Sequence, residues 1–276
     1  MGFIPVFIIS MPDSKRVNTI KSQLDDLGID YEVQNAVVGN NLTSKDIDNL
    51  VDLRGCDARL GYRISKNLIG SGLSHIEVYK KAYALRSDWV LILEEDAILV
   101  DFNKELINKA ASKLDEDDVI IQLFTRAARL IKKTSLYELD NNKYLFEFNK
   151  RIVGCGAPAY LINRGALRTA LSQYKLIGAP DWPAWGQKVK FFGLYPWMVK
   201  ESGAGSTVPA GSMSRFQYLK RRLAQLTGLH YLKYRSQYKN YKEYFSEEIM
   251  PYVLHVIWRL RGSKYYRNDQ EGLQII

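Results

Sequence analysis

Cysteine is scarce, with two in 276 residues, Cys56 and Cys155. Neither belongs to a CxxC pair or lies near a histidine at metal-ligand spacing, which argues against a disulfide framework and a structural zinc site. Both are expected as small buried apolar residues in a reducing compartment. No run of about 20 apolar residues occurs, so no transmembrane helix is expected. The opening Met1–Ser10 lacks a basic start, and its short apolar run carries Pro5, so it does not read as a signal peptide. A P-loop and a dinucleotide-type glycine fingerprint are also missing. These absences point to a cytoplasmic chain, soluble or held at a membrane surface.

Apolar side chains, by contrast, make up 46% of the sequence. That suffices for a sizeable core, and the length suits one large α/β domain with or without an appendage. The net charge of +9 is unevenly placed. Residues 1–210 hold 27 basic against 25 acidic side chains, and residues 211–276 hold 12 against 5. A near-neutral body, residues 1–208, is therefore expected to precede a basic, aromatic-rich helical extension, residues 209–276.

Along the body, strands and helices alternate. Phe3–Ile9 reads as a buried strand. Val17, Ile20, Leu24 and Leu27 recur at helical spacing before Gly28. Residues 31–38 read as a second strand and 43–53 as a helix capped by Thr43. Residues 54–71, with three glycines, read as irregular. Ser74 and Glu77 have capping-box spacing, so a helix is expected to start at Ser74. Trp89–Leu93 is a compact apolar strand, followed by a helix over 103–114 and a strand over 119–124. A hairpin turns at Asp140-Asn-Asn142. A strand at 159–162, a helix at 164–174 and a strand at 191–199 complete the body. The order predicts an α/β fold, a mostly parallel sheet flanked by helices with late antiparallel pieces, which binds ligands at strand carboxyl ends.

Three constellations could carry chemistry. The first is Glu94-Glu95-Asp96, at the end of the apolar strand. Adjacent carboxylates are costly to ionise without a cation, and Mg²⁺ or Mn²⁺ with substrate phosphates supplies one. In an extended segment Glu94 and Asp96 point one way and Glu95 the other. A solvated acidic turn is the plainer alternative. The second is Gly70-Ser-Gly-Leu-Ser-His75, where Ser74 reads as a helix cap and a helix start offers N–H groups to an anion. The third is Gly178-Ala-Pro-Asp-Trp-Pro-Ala-Trp185. There Asp181 stands beside Trp182 and Trp185, a set suited to a sugar, with rings for its C–H faces and an acid for a hydroxyl proton. Helix capping under two buried tryptophans is the alternative.

Taken together, these segments resemble glycosyltransferase family 25, the lipooligosaccharide-biosynthesis galactosyltransferase group. The resemblance runs from about Val6 to Ser206. It is carried by Arg16 after the first strand, Ala36-Val-Val-Gly39, Leu73-Ser-His75 and Leu91-Ile-Leu-Glu-Glu-Asp-Ala97. Tyr160-Leu-Ile-Asn-Arg-Gly-Ala166, Pro180-Asp181, Tyr195-Pro196 and Ser206 follow in the family's order. Glu95 stands where the family usually has Asp, and Ser71-Gly72 where it commonly has Cys and a small residue. The resemblance implies a GT-A fold, a UDP-sugar donor with galactose the commonest hexose, and inversion at the anomeric carbon. It also implies a divalent metal (Mn²⁺ or Mg²⁺) on the acidic motif and a lipid-linked oligosaccharide acceptor. On that basis Asp96 and Glu94 hold the metal, and Ser10, Arg16 and Ala36 line the uridine and ribose. Ser74, His75 and Glu95 border the donor. Asp181 is the catalytic base, with Glu201 a weaker candidate and Glu95 another if it faces away from the metal, and Trp182 and Trp185 meet the acceptor.

The tail interleaves cations such as Arg221 and Lys233 with aromatics such as Tyr218 and Tyr234, which suits an anionic membrane surface. With no recognised nucleic-acid motif and a near-neutral body, nucleic acid is the weaker partner. Rival classes are a metal-dependent nucleotidyltransferase, which would need a glycine-rich phosphate loop, and a binding module driven by the tail.

Overall fold

The computed structural model describes residues 3–60, 63–114, 118–124, 130–131, 136–148, 156–180, 182–202 and 274–275. The basic extension, residues 209–276, thus lies almost wholly outside the described residues. Its strands are β1 (Val6–Ser10), β2 (Tyr31–Asn35), β3 (Trp89–Glu94), β4 (Ala97–Leu99), β5 (Val119–Gln122), β6 (Leu130–Ile131) and β7 (Leu136–Asp140). They continue with β8 (Lys143–Glu147), β9 (Ala159–Asn163), β10 (Gly178–Ala179), β11 (Trp182–Pro183), β12 (Lys190–Tyr195), β13 (Val199–Glu201) and β14 (Gln274–Ile275). The α-helices are α1 (Val17–Asp26), α2 (Ser44–Leu50), α3 (Leu53–Leu60), α4 (Lys66–Ala84), α5 (Lys104–Ser112) and α6 (Arg164–Leu171).

Eight strands form one sheet in the order β2-β1-β3-β9-β5-β12-β8-β7. β1 pairs in parallel with β2 and β3, and β12 with β5. β9 runs antiparallel between β3 and β5, and β8 runs antiparallel to β12 and β7. The α/β sheet flanked by helices is thus present, but it is mixed rather than mostly parallel. β9 is the reason: it inserts backwards into the middle of the sheet.

Alternation along the strands sorts the core into two layers. Val6 and Ile8 of β1 and Leu91 and Leu93 of β3 pack with Ile20 and Leu24 of α1 and Ile107 of α5. Phe7, Ile9, Val90 and Ile92 face the opposite side and pack with Val78 and Ala82 of α4 and Leu167 of α6. Each of these large side chains contributes about 1.5–3 kcal/mol by leaving water. With both faces covered, β1 and β3 must be continuous apolar runs, which is how the sequence reads.

α4 departs most from expectation. It begins at Lys66, capped by Ser65, whose side chain accepts from the Leu68 N–H, and not at Ser74. Ser74 lies mid-helix, buried, with its hydroxyl donating back to the Gly70 carbonyl (2.7 Å). Gly70, read as a breaker, is a packing residue, and so is Gly39. A Cβ on Gly70 would stand 2.5 Å from the Val37 carbonyl, and one on Gly39 would stand 1.9 Å from the Lys66 carbonyl. The segment expected to be irregular also contains α3. The single strand expected at 191–199 is two, β12 and β13, separated by the cis Tyr195–Pro196 peptide. Cys56 is buried as expected, accepting from the Gly178 N–H (3.3 Å); Cys155 lies outside the described residues.

Candidate donor and cation site

Parallel pairing brings the carboxyl ends of β1, β2 and β3 to one edge, so Ser10, Asn35 and Glu94 end side by side. The chain turns at Glu95-Asp96 before β4. Glu95 is buried and acts as the knot of this edge. Its backbone N–H donates to the Ile9 carbonyl (2.9 Å). Its Oε2 accepts from the Ser10 hydroxyl (2.9 Å) and the Met11 N–H (3.0 Å), and its Oε1 lies 3.5 Å from Arg16 Nη1. Two of the expected donor residues, Ser10 and Glu95, are therefore bonded to each other. That bond, with the one from Met11, fixes the β1–α1 loop.

Asp96 stands beside them. Its Oδ2 accepts from Arg16 Nη2 (3.1 Å). Its Oδ1 is buried and has no hydrogen-bond partner among the described residues. β13 pairs antiparallel with β4, and the Ser202 N–H donates to the Asp96 carbonyl (2.9 Å), which brings Glu201 near. Burial, with the negative charges of Glu94 and Glu201 added, pushes the Asp96 carboxyl up to about 6 in spite of Arg16. Glu94 turns instead to His75, whose Nε2 lies 3.2 Å from its Oε1. The simple alternation expected of Glu94, Glu95 and Asp96 does not hold, because the turn gives Glu95 and Asp96 the same guanidinium and leaves Glu94 to the histidine. Among the described residues, no three His, Cys, Asp or Glu side chains converge as a ready metal cage.

Behind Glu94 lies a pair of hydroxyls that sequence reasoning did not single out. Tyr160 of β9 sits 2.7 Å from His75 Nδ1, and Tyr79 sits 2.8 Å from the Tyr160 hydroxyl. Tyr79 could have been found, since it is four residues beyond His75 on the same helix face. Tyr160 opens one of the segments that carry the family resemblance, but its sequence context gives its hydroxyl no role; it reaches His75 through the insertion of β9.

Other expected residues fall elsewhere. Ser74 accepts from the Val37 N–H (2.8 Å), tying α4 to the loop after β2. Ala36 adjoins the site, its N–H donating to the Ser10 carbonyl (2.7 Å). The Trp185 ring is buried, edge-on against Tyr79 at 5.7 Å between centroids. In this structure it is a core ring. Trp182 begins β11, paired with Ala179. Asp181 lies outside the described residues.

The family model for glycosyltransferase family 25 (LPS biosynthesis protein) matches residues 3–181. The chain belongs to glycosyltransferase family 25. As a family 25 glycosyltransferase it takes an activated-sugar donor and an acceptor. No curated protein matches the chain. Among solved structures it is similar to A197 from STIV, at 12% identity and a TM-score of 0.37, covering 71% of this chain and 83% of that one. It is also similar to a glycosyltransferase involved in glycosylation of the major capsid of PBCV-1 (8%, TM-score 0.30, 62% and 65%). A third is the galactosyltransferase LgtC in complex with donor and acceptor sugar analogues (16%, TM-score 0.27, 59% and 59%). The chain spans less than two thirds of the second and third. At these scores the likeness is too loose to position any residue. No helix among the described residues is long and apolar enough to cross a membrane.

Proposed function

We propose that this family 25 member is an inverting, metal-dependent GT-A glycosyltransferase moving a hexose, galactose before glucose, from a UDP-sugar to a lipid-linked oligosaccharide. The observation that carries the reading is the state of Asp96. A mostly buried carboxyl with one oxygen unpartnered among the described residues, held up to about 6 by burial and by Glu94 and Glu201, marks a place short of positive charge. A divalent cation relieves that shortage, and its hard-oxygen preference fits the donors present.

Asp96 would hold the ion with help from Glu94, and phosphate oxygens and water would complete its shell, as magnesium-type sites commonly do. When bound, the ion offsets the charge that builds on departing UDP. The remaining chemistry belongs to the chain. Arg16 supplies a positive charge beside the carboxylates, suited to a diphosphate. Ala36 and the loop after Ser10, fixed by Glu95, border the nucleoside. Asp181 accepts the proton of the acceptor hydroxyl as that oxygen attacks the anomeric carbon opposite the leaving UDP, with Trp182 beside the sugar. The basic residues 211–276 bring the enzyme to the anionic inner face of the cytoplasmic membrane, where such an acceptor is anchored.

The test is sugar release from UDP-galactose and UDP-glucose, with and without Mn²⁺. Metal-stimulated release is expected with the wild type and absent in Asp96→Ala. Equal stimulation in Asp96→Ala refutes the assignment. Asp181→Asn is expected to lose transfer while keeping UDP affinity within about twofold, since the base acts on the acceptor and not on the donor.

A further inference from the structure

Four side chains from three elements form a continuous line, buried up to its half-exposed end at Glu94: Tyr79 and His75 of α4, Tyr160 of β9 and Glu94 at the end of β3. The separations are 2.8 Å from Tyr79 to Tyr160, 2.7 Å from Tyr160 to His75 Nδ1, and 3.2 Å from His75 Nε2 to Glu94 Oε1. His75 is 2% exposed, Tyr79 3% and Tyr160 4%. The line runs through the apolar layer that also holds Val78, Ile92 and Trp185.

Counting protons gives the line a direction. The Glu94 oxygen facing the ring accepts, so the hydrogen of that bond sits on Nε2. If Nδ1 carried a proton as well, it would donate to Tyr160. Tyr160 would then donate to Tyr79, whose own proton would have no acceptor among the described residues. With Nδ1 bare, every donor meets an acceptor: Tyr79 to Tyr160, Tyr160 to Nδ1, Nε2–H to Glu94. Buried hydroxyls favour the arrangement that leaves none unsatisfied.

The geometry points to Tyr160, backed by Tyr79, as a positioning residue for Glu94: its hydroxyl donates to His75 Nδ1 and so turns the Nε2–H of the ring toward Glu94, and that hydrogen aims the Glu94 carboxylate. The proposal rests on Glu94 serving the donor site. Groups that orient a first-rank ligand in this way are worth about 10–100-fold in metal affinity when removed. Tyr160→Phe keeps the ring and its packing but removes the hydrogen that distinguishes the two tautomers. Tyr79→Phe removes only the outermost donor.

The test combines ¹⁵N NMR of the histidine rings of the full chain with titration of UDP in the presence of Mn²⁺. The His75 signals are identified by their loss in His75→Gln. The wild type is expected to show His75 as a single tautomer, protonated on Nε2 and bare on Nδ1. Tyr160→Phe is expected to mix the tautomers and to weaken UDP–Mn²⁺ binding about tenfold or more. Tyr79→Phe is expected to keep the tautomer and change binding less than threefold. A wild-type His75 protonated on Nδ1 overturns the proposal without any variant, which covers the case where Tyr160→Phe does not fold. So does wild-type affinity in a folded Tyr160→Phe, whatever its spectrum. Absence of UDP–Mn²⁺ binding by the wild type would count against the donor reading instead, and the wild-type spectrum would still decide the proton order.

Discussion

Asp96 is costly to the fold, and the sign of that cost is measurable. Its carboxyl keeps its proton up to about 6 in the folded chain, against an ordinary 3.8. The unfolded chain therefore binds fewer protons between those values, and stability from this group falls as pH rises from about 4 to 6 and stays lower above. Asp96→Asn is expected to raise metal-free stability at pH 7.5 and flatten its pH dependence, read as urea midpoints across pH 4–8. A drop at pH 7.5 would mean that the pairing with Arg16 outweighs burial. The same proton competes with a cation, so Mn²⁺ affinity in calorimetry is expected to weaken as pH falls below 6. Three neighbouring carboxylates were conspicuous in the sequence. Their separate fates were not, because these depend on Arg16 and His75, which lie 80 and 19 residues away from their partners.

At the scale of elements, most strands and helices followed from periodicity. α1 and α5 carry clean apolar stripes, and α2 has the Thr43–Asp46 capping box that its sequence announces. α4 starts earlier than its residue propensities predict because packing overrides them. Gly70 and Gly72 cost helix stability locally, but Gly70 and Gly39 let α4 touch the backbone of residues 37–39, and Gly72 packs against Leu176. On an exposed helix, Gly→Ala would gain about 1 kcal/mol. Gly70→Ala is expected to lose about 1–3 kcal/mol instead, because its Cβ meets backbone that cannot swing away. A neutral or raised urea midpoint would show that the loop yields. A second element-scale test is Asn163, whose side-chain oxygen accepts from both Ala166 N–H (2.9 Å) and Val119 N–H (3.0 Å). It caps α6 and ties β5 to β9, so Asn163→Ala is expected to cost about 2–3 kcal/mol by losing the cap and orphaning a buried donor.

Taken whole, the molecule is a sheet whose carboxyl edge gathers the acidic motif, with a basic stretch following it in sequence. The layering was legible because both faces of β1 and β3 are buried and their sequences say so, and the family was legible from short motifs in order, Leu91–Ala97 foremost. The reversed β9 was not, since a short apolar strand carries no sign of its direction. The charge asymmetry predicts that the chain sediments with vesicles containing phosphatidylglycerol and is released by salt, and that a chain ending at residue 210 does not. Equal binding to neutral vesicles would contradict an electrostatic role. The central claim, that Asp96 shares a cation with a nucleoside diphosphate, is most directly tested by thermal unfolding with UDP and Mn²⁺, singly and together. At about a hundredfold excess over Kd, the pair is expected to add about 2.7 kcal/mol, or roughly 5–10 °C for a chain of this size. UDP alone should shift it little, and Asp96→Ala should remove the joint effect. A shift from UDP that is the same without metal, or that survives in Asp96→Ala, would contradict it.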